Sequence, residues 1–243
     1  MRLLRQLVLT ALLGWSMASY ATTNDVFTQG LKAARNGDLV TASTDFESDA
    51  QHQPSVGALL NLGLAEWQLG HAGPAMLAWE QAQWIDPFDP SAAQNLKFAR
   101  QIAQVNEPAY EWFETASTWL PPNAWVWLAG GSLWLVVGIL TLPAVLRIKK
   151  AGWHQTVAAL GLGVFLFSIT ANVGVVSRTH LGIVLRKNTP LLLTPTREGE
   201  VISTLTAGES ARRLRTRNGY LFVRTAYGTG WISQKNLGFI NGR

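Results

Sequence analysis

Two long runs of uncharged, mostly apolar residues dominate the second half of the chain. Residues 124–146 give 23 consecutive positions without a charge, and residues 156–177 give 22 more. An α-helix rises 1.5 Å per residue, so about 20 apolar residues cross the roughly 30 Å hydrocarbon layer of a bilayer. The pattern therefore predicts two transmembrane helices, 124–146 and 156–177, joined by a loop of residues 147–155.

The first 21 residues have the pattern of a secretory signal peptide. Arg2 and Arg5 precede an apolar run that begins at Leu7 and ends at Trp15, and small residues then continue to Ala21. This run is too short to cross a bilayer, and a basic start followed by a small-residue cleavage site is typical of an exported protein. The sequence predicts cleavage after Ala21.

The loop between the two apolar runs is basic. Residues 147–155 contain Arg147, Lys149 and Lys150 and no acid. Cytoplasmic loops of membrane proteins carry an excess of Lys and Arg, so we expect this loop to stay in the cytoplasm. The segments before and after the two spans then lie together on the opposite side of the membrane, in agreement with the predicted signal peptide.

Residues 22–104 contain an internal repeat with an offset of 33 residues. Five positions recur in one register: Gly30, Gly37, Ala42, Phe46 and Pro54 return as Gly63, Gly70, Ala75, Trp79 and Pro87. The small residues suit a close helix crossing, the second glycine permits a turn, and the proline ends the second helix. Residues 91–104 are predicted to form a capping helix.

The order of small residue, glycine turn, alanine, aromatic residue and closing proline resembles the tetratricopeptide repeat. Two positions depart from that family: Leu59 replaces an early tryptophan, and Glu66 stands where an aromatic residue is usual. Solenoids generally need about three repeats to bury a continuous core. Two repeats and a cap therefore lead us to expect support from a partner or from self-association.

The resemblance implies a concave groove that binds a peptide or another protein. By position, the groove residues would be Phe27, Leu31, Arg35, Asn61, Leu64, Trp67, Asn95 and Phe98. Asn61 and Asn95 are the candidates for holding a peptide backbone, because an amide both donates and accepts hydrogen bonds. The alternatives are that these asparagines only cap or solvate the groove, and that the leucine and tryptophan side chains belong to the core.

Residues 178–243 are predicted to form a small all-β domain, because short alternating runs are separated by turn residues. Asn218-Gly219 is a two-residue hairpin signal. The segment resembles a bacterial SH3-type barrel, whose pattern is carried here by Leu191 to Pro195, by Gly208-Glu209 and by Gly230-Trp231-Ile232. Tyr220 replaces a more usual tryptophan.

Charge is distributed unevenly along the chain. Residues 22–123 carry 4 cations and 12 anions, whereas residues 178–243 carry 11 cations and 3 anions. Arg213, Arg215, Arg217 and Arg224 flank the predicted hairpin and suggest a basic surface. Outside the cytosol this surface would meet anionic headgroups, acidic cell-wall polymer or protein rather than nucleic acid. A solvated face is the alternative, and the opposite net charges also permit an attraction between the two domains, although exposed charges more than about 8 Å apart are mostly screened.

The sequence contains no pattern that indicates catalysis. There is no cysteine, the four histidines lack the spacing of metal ligands, and no Walker loop or nucleophile elbow is present. The carboxylates of Asp45, Glu47 and Asp49 are typical of a solvated helix face. We therefore predict a protein that is not an enzyme, with no catalytic, cofactor-binding or metal-binding residues and no cofactor.

The order of signal, helical repeats, transmembrane hairpin and SH3-type domain resembles the BatE-type proteins of the bacterial aerotolerance (Bat) operon. The resemblance implies a multidomain protein of the inner membrane with periplasmic tetratricopeptide and SH3-like modules. It also implies a role in envelope stress tolerance beside von Willebrand A-domain membrane proteins and a MoxR-type ATPase. Two alternatives remain open: an envelope sensor that binds peptidoglycan, and an accessory subunit of a cell-wall hydrolase.

Overall fold

The computed structural model describes residues 20–145 and 152–242. The predicted signal peptide lies outside the described residues except for Tyr20 and Ala21, which begin the first helix. The three cations of the predicted cytoplasmic loop also lie outside them.

The described residues form eight α-helices followed by a sheet of seven strands. The helices are α1 (Tyr20–Arg35), α2 (Leu39–His52), α3 (Val56–Gln68), α4 (Ala72–Ile85), α5 (Pro90–Ala103), α6 (Trp112–Ser117), α7 (Pro122–Val145) and α8 (Gly152–Arg178). The strands are β1 (Leu181–Val184), β2 (Thr189–Leu192), β3 (Val201–Leu205), β4 (Ser210–Arg217), β5 (Tyr220–Thr225), β6 (Gly228–Ser233) and β7 (Leu237–Phe239).

The first four helices form two successive helical hairpins with the same internal packing. In the first hairpin the ring of Phe46 on α2 lies directly against Gly30 on α1. In the second, the indole of Trp79 on α4 lies directly against Gly63 on α3. The 33-residue repeat is therefore a repeated contact, in which a large aromatic ring occupies the space left by a missing Cβ.

Turn and capping residues explain where these helices begin. Gly37 and Gly70, in the turns between the helices of each pair, have φ angles of 80° and 82°, which favour glycine. Asp38, Ser55 and Asp89 are the N-cap residues of α2, α3 and α5, and each side chain accepts a backbone N–H from the first turn. Local sequence signals thus determine the helix boundaries.

Helices α7 and α8 are long and apolar enough to cross a membrane. The most apolar windows of these helices are only 11% and 22% buried, so they are not core helices of a globular domain. Trp127 and Trp134 on α7 are 79% and 76% exposed. Compared with the predicted spans, α7 begins two residues earlier, at Pro122, and α8 includes Arg178.

All pairings in the C-terminal sheet are antiparallel, and the strand order is β3-β2-β6-β5-β4-β1-β7. The predicted Asn218-Gly219 turn joins β4 and β5, with φ angles of 49° and 77° at its two residues. One face of the sheet encloses an apolar core, whose buried residues are Val184, Leu191, Leu205, Ala211, Leu221, Val223, Ile232 and Leu237.

The helical repeats and the sheet share a second apolar core. Its buried residues come from α4, α5, the following loop, β1 and the end of β7: Ala75, Met76, Trp79, Leu96, Ala99, Val105, Leu181, Ile183 and Ile240. Two glycines allow this close approach, since Gly73 lies against the Leu185 carbonyl and Gly208 lies against Met76. At the rim, Gln81 Nε2 donates to the Phe239 carbonyl at 3.0 Å.

This shared core joins the helical repeats to the sheet mainly by apolar packing, and the ion pair between Glu114 and Arg212 also links the acidic segment to the basic one. The contact is made mainly by apolar side chains, and Arg213, Arg215 and Arg217 are not among its residues. Burial of apolar area is the stronger effect here, because charges exposed to water are largely screened beyond about 8 Å.

We predict that Gly63→Ala destabilises the chain whereas Gly57→Ala does not, although both glycines lie on α3. A Cβ at residue 63 would meet the indole of Trp79, and overpacking of this kind costs about 1–3 kcal/mol. A Cβ at residue 57 meets only Phe27 at ordinary contact distance, so the change there should be within about 1 kcal/mol. Unfolding of the full chain in mild detergent, followed by tryptophan fluorescence, measures both. Equal effects would contradict the proposed repeat packing.

Candidate functional site

The structure brings together part of the predicted peptide groove. Trp67 packs between Trp79 and Phe98, with ring centroids 6.1 Å and 5.8 Å away. Phe27 packs on Phe46 at 5.6 Å, in the neighbouring helical pair. Trp67 therefore acts largely as a packing residue, which is the alternative left open for it, and Phe27 also packs within its own helical pair.

The predicted peptide-binding asparagines do not form an obvious clamp. Asn61 Nδ2 donates to the Gly57 carbonyl of its own helix at 2.8 Å, so one amide donor is used locally. Asn95 is half-buried on α5. On α1, Leu31 is half-buried and Arg35 is exposed.

An apolar strip remains exposed beside these residues. Leu64 on α3 and Phe98 and Ile102 on α5 are 42%, 53% and 63% exposed. We call these three residues the apolar strip. Leu64 and Phe98 are predicted groove residues that remain open to a partner, and Ile102, which was not predicted, lies one helical turn from Phe98 on α5.

The sheet borders one end of this groove. A cavity of about 320 Å³ lies between the helices and the sheet, and its lining includes Trp67, Ile102, Lys187 and Thr206. From the sequence we expected the groove and the all-β domain to be separate modules. The cavity shows instead that residues of both contribute to one recess.

The predicted basic surface divides between two faces of the sheet. Arg215 pairs with Phe222 and Arg217 with Tyr220, and these positions alternate with the buried residues of β5. Arg215, Arg217 and Arg224 therefore share the outward face, together with Phe222. The ring of Phe222 packs on Trp231 at 5.1 Å, so cations and aromatic rings are interleaved on this face.

Arg213 points the other way because of a β-bulge. The ladder shifts register between Arg213 and Arg215, so Arg213 pairs with the buried Val223. An extra residue in one strand reverses the alternation on either side of it. The guanidinium of Arg213 lies 4.5 Å from the ring centre of Phe239, and its Nη2 lies 3.1 Å from His180 Nδ1.

A buried polar cluster that the sequence did not predict joins α6 and the last turn of α8 to the sheet. Glu114 on α6 is fully buried. Its two carboxylate oxygens accept hydrogen bonds from Arg212 on β4 at 2.6 and 2.8 Å. Ser177, in the last turn of α8, also donates to Glu114, and the Glu111 backbone N–H completes the set at 3.0 Å. We call Glu114, Ser177 and Arg212, together with Ser117 and Arg178, the junction.

Arg178 fixes the other side of the junction. This last residue of α8 is 6% exposed, and its guanidinium lies 4.9 Å from the ring centre of Trp84 and 5.3 Å from that of Tyr110. One nitrogen donates to the Ser117 hydroxyl at 3.3 Å, while Nε has no acceptor within the described part of the chain. The aromatic rings stabilise the cation by cation–π interaction.

Ionisation of the junction follows from its contacts. Burial disfavours the charged form of Glu114, but the hydrogen bonds from Arg212 and Ser177 outweigh it and hold the pKa of the carboxyl below its ordinary 4.5. Burial, followed by the nearby Glu80 carboxylate, raises the pKa of Tyr110 well above 10.0. Glu80 itself is buried and pairs with Arg100.

The junction is suited to structural coupling rather than to chemistry on a substrate. Hydrogen bonds already occupy both oxygens of Glu114, so neither is poised to accept a substrate proton. Among the described residues, no group of three His, Cys, Asp or Glu side chains is arranged to hold a metal ion.

Comparison with protein-family models, with curated proteins and with solved structures finds no match for this chain. The family resemblances of the helical repeats and of the sheet thus rest on the sequence patterns alone. What the structure shows is the coarser arrangement: helical hairpins, two long apolar helices and a seven-stranded antiparallel sheet.

We predict strong thermodynamic coupling between Glu114 and Arg212. Glu114→Gln and Arg212→Met should each cost about 3–5 kcal/mol of folding free energy, because each leaves a buried partner unpaired. The double variant should cost less than the sum, by about 1–3 kcal/mol. Arg215→Met, on the same strand but exposed, is the matched control and should change stability by about 0.5 kcal/mol or less. Additive single effects would show that the pair is not coupled.

The lowered pKa of Glu114 predicts a pH-dependent contribution to stability. A carboxyl whose pKa is lower in the folded state stabilises the fold fully above its unfolded pKa, near 4.5, and loses this contribution as the pH falls through the folded value. The stability difference between the unmodified chain and Glu114→Gln should thus be constant at neutral pH and shrink below about pH 4.5. Thermal unfolding at several pH values measures it. A difference that grows on acidification would have the wrong sign.

Proposed function

We propose that the chain is a non-enzymatic scaffold of the bacterial inner membrane. In this proposal its helical hairpins are tetratricopeptide-type repeats, its sheet is an SH3-type domain, and both lie in the periplasm. The core shared by α4 and β1 carries the proposal. The repeats precede the two apolar helices and the sheet follows them, so packing of one on the other supports a hairpin that returns the chain to the same side of the membrane.

Sequence features support the periplasmic side. The cations Arg147, Lys149 and Lys150 lie between the two apolar helices, where a positive loop favours the cytoplasm. The signal-like pattern in residues 1–21 supports export of the segment that follows. Both the repeats and the sheet would then meet periplasmic partners.

The apolar strip is the proposed partner-binding surface. Ile102 lines the recess that ends against the sheet, and Phe98 packs on Trp67 in the same lining, so a bound segment would contact helices and sheet together. The resemblance to BatE-type proteins suggests a von Willebrand A-domain membrane protein as that partner, within a MoxR-type envelope stress-tolerance system. The scaffold would position such proteins and would carry out no reaction itself.

A second candidate is a peptidoglycan-binding envelope sensor or an accessory subunit of a cell-wall hydrolase. The outward face of the sheet favours it, because Arg215, Arg217 and Arg224 alternate there with Phe222 and Trp231. Cations with aromatic rings suit an anionic glycan polymer. Sedimentation of the full chain with purified sacculi supports this candidate only if Arg215→Glu and Arg217→Glu abolish it.

We predict that a photo-crosslinking residue at Phe98 captures a von Willebrand A-domain membrane protein in living cells. The same probe at Val40 is the matched control, since that side chain is 66% exposed on α2 and is not one of the three residues of the apolar strip. Capture should fall strongly in Ile102→Asp, which places a charge in the apolar strip. Equal capture from both positions, or capture of only cytoplasmic proteins from Phe98, would overturn the scaffold proposal.

A further inference from the structure

An apolar groove runs along α7 and α8 at the end nearest the sheet. Its volume is about 560 Å³, and its walls include Val126 and Ala129 from α7 and Ile169, Val173 and Val176 from α8. From Ile169 to Val176 the helix rises roughly 10 Å. If these helices span a bilayer, the groove opens on hydrocarbon, so only an apolar chain can fill it without losing hydrogen bonds.

The end of the groove nearest the sheet is polar and positively charged. His180 contributes to the groove lining, and Arg213 Nη2 lies 3.1 Å from His180 Nδ1. An arginine only donates, so Nδ1 accepts and the neutral imidazole carries its proton on Nε2. A guanidinium and a ring N–H thus meet at the point where the apolar groove ends.

Strand register places further cations on the same side as α8. Ser210 lies opposite Ile183 and Arg212 opposite Leu181, so β4 runs back toward the end of α8. The Arg213 backbone N–H then donates to the His180 carbonyl at 2.8 Å. Residues 214–217 therefore project beyond β1 on the side of α8, and they include the exposed Arg215 and Arg217.

All the charged residues of this hairpin are cations. Residues 212–224 contain five arginines and no acid. Arg212 is neutralised by Glu114, whereas Arg215 and Arg217 are exposed at the hairpin end. A polypeptide or glycan with negative charge would match these cations, but neither carries the hydrocarbon chain that the adjoining groove requires.

We propose that this groove, with Arg213 and His180, binds one anionic phospholipid from the leaflet on the side of the sheet. An acyl chain lies between α7 and α8, and the lipid phosphate meets the Arg213 guanidinium and His180 Nε2–H. Arg215 and Arg217 raise the local positive potential for the headgroup. The site requires that α7 and α8 span a bilayer, and it is independent of which protein binds the apolar strip.

Native mass spectrometry of the purified full chain tests the site. Phosphatidylglycerol and phosphatidylethanolamine are offered together in mild detergent, and we expect selective retention of one phosphatidylglycerol. Arg213→Gln should lower its retention about fivefold, because a cation near an anionic headgroup contributes about 1 kcal/mol. Ala129→Phe, which fills the groove without changing a charge, should lower it similarly. Arg224→Gln, in the same hairpin but on the outward face, is the matched control and should retain the lipid.

Soluble competitors separate the lipid from its phosphate alone. Excess glycerol phosphate should not displace phosphatidylglycerol, because it lacks the chain that occupies the groove. Displacement by glycerol phosphate, equal retention of both lipids, or unchanged retention in both variants would overturn the proposal. Loss of sacculus binding in Arg213→Gln with lipid retention unchanged would assign the cation to the cell wall instead.

Melting of each variant without added lipid controls for misfolding. If Arg213→Gln alone lowers the melting temperature, Ala129→Phe decides the question, because it leaves the sheet unchanged. Photo-crosslinking from Phe98 should persist in both variants. Loss of selective lipid retention with intact crosslinking would contradict only the lipid site. Intact lipid retention with no crosslinking from Phe98 would contradict only the scaffold proposal.

Discussion

The buried carboxylate of Glu114 requires three separate parts of the chain to be in place at once. It lies on α6, between the helical repeats and the first long helix, and it is paired with Arg212 on β4 and Ser177 on α8. An unpaired carboxylate in this position would be costly, because its hydration is lost on burial. The last turn of α8 therefore cannot move away from the sheet or from α6 without exposing the Glu114 carboxylate or leaving it unpaired. The close contact between Gly174 and the Phe113 carbonyl fixes the same crossing sterically.

The helical repeats obtain from the sheet the apolar cover that a short solenoid lacks. Two hairpins and α5 are fewer repeats than such stacks generally need, and the sequence alone suggested a partner or a second copy. In the structure β1 and the end of β7 cover α4, and Leu181, Ile183 and Ile240 complete its core. The chain thus supplies its own covering element. This leaves the apolar strip free, since it is not needed to close the core.

Features that depend on neighbouring residues could be predicted from the sequence. The two helical hairpins follow from the repeat, the long apolar helices from run length, and the hairpin turn from Asn218-Gly219. The contact of Trp79 with Gly63 was not predicted, since Trp79 was expected to fill the wider gap beyond the helix crossing. The junction could not be predicted in this way. Its partners from different elements are 35 to 98 residues apart, and a single serine or glutamate has no distinctive local pattern.

The division of the basic surface between two faces of the sheet could not be predicted from the sequence of β4 alone. Arg213, Arg215 and Arg217, which were assigned to one basic surface because they flank the hairpin, would share one face of a continuous strand. The bulge between Arg213 and Arg215 breaks the alternation. Alternation predicts which face of the sheet a residue occupies only while the strand register is continuous. In a run of polar residues, no sequence pattern shows where a bulge lies.

Ordinary strand alternation places the consecutive residues Arg212 and Arg213, which precede the bulge, on opposite faces of β4. Arg212 binds Glu114 on α6, and Arg213 reaches His180 at the mouth of the groove between α7 and α8. The junction and the groove are thus joined by one peptide bond of a strand that also belongs to the sheet core. β4 pairs with β1, whose Leu181 and Ile183 belong to the core shared with α4. The repeats, the sheet and the end of α8 are therefore in continuous contact through this strand.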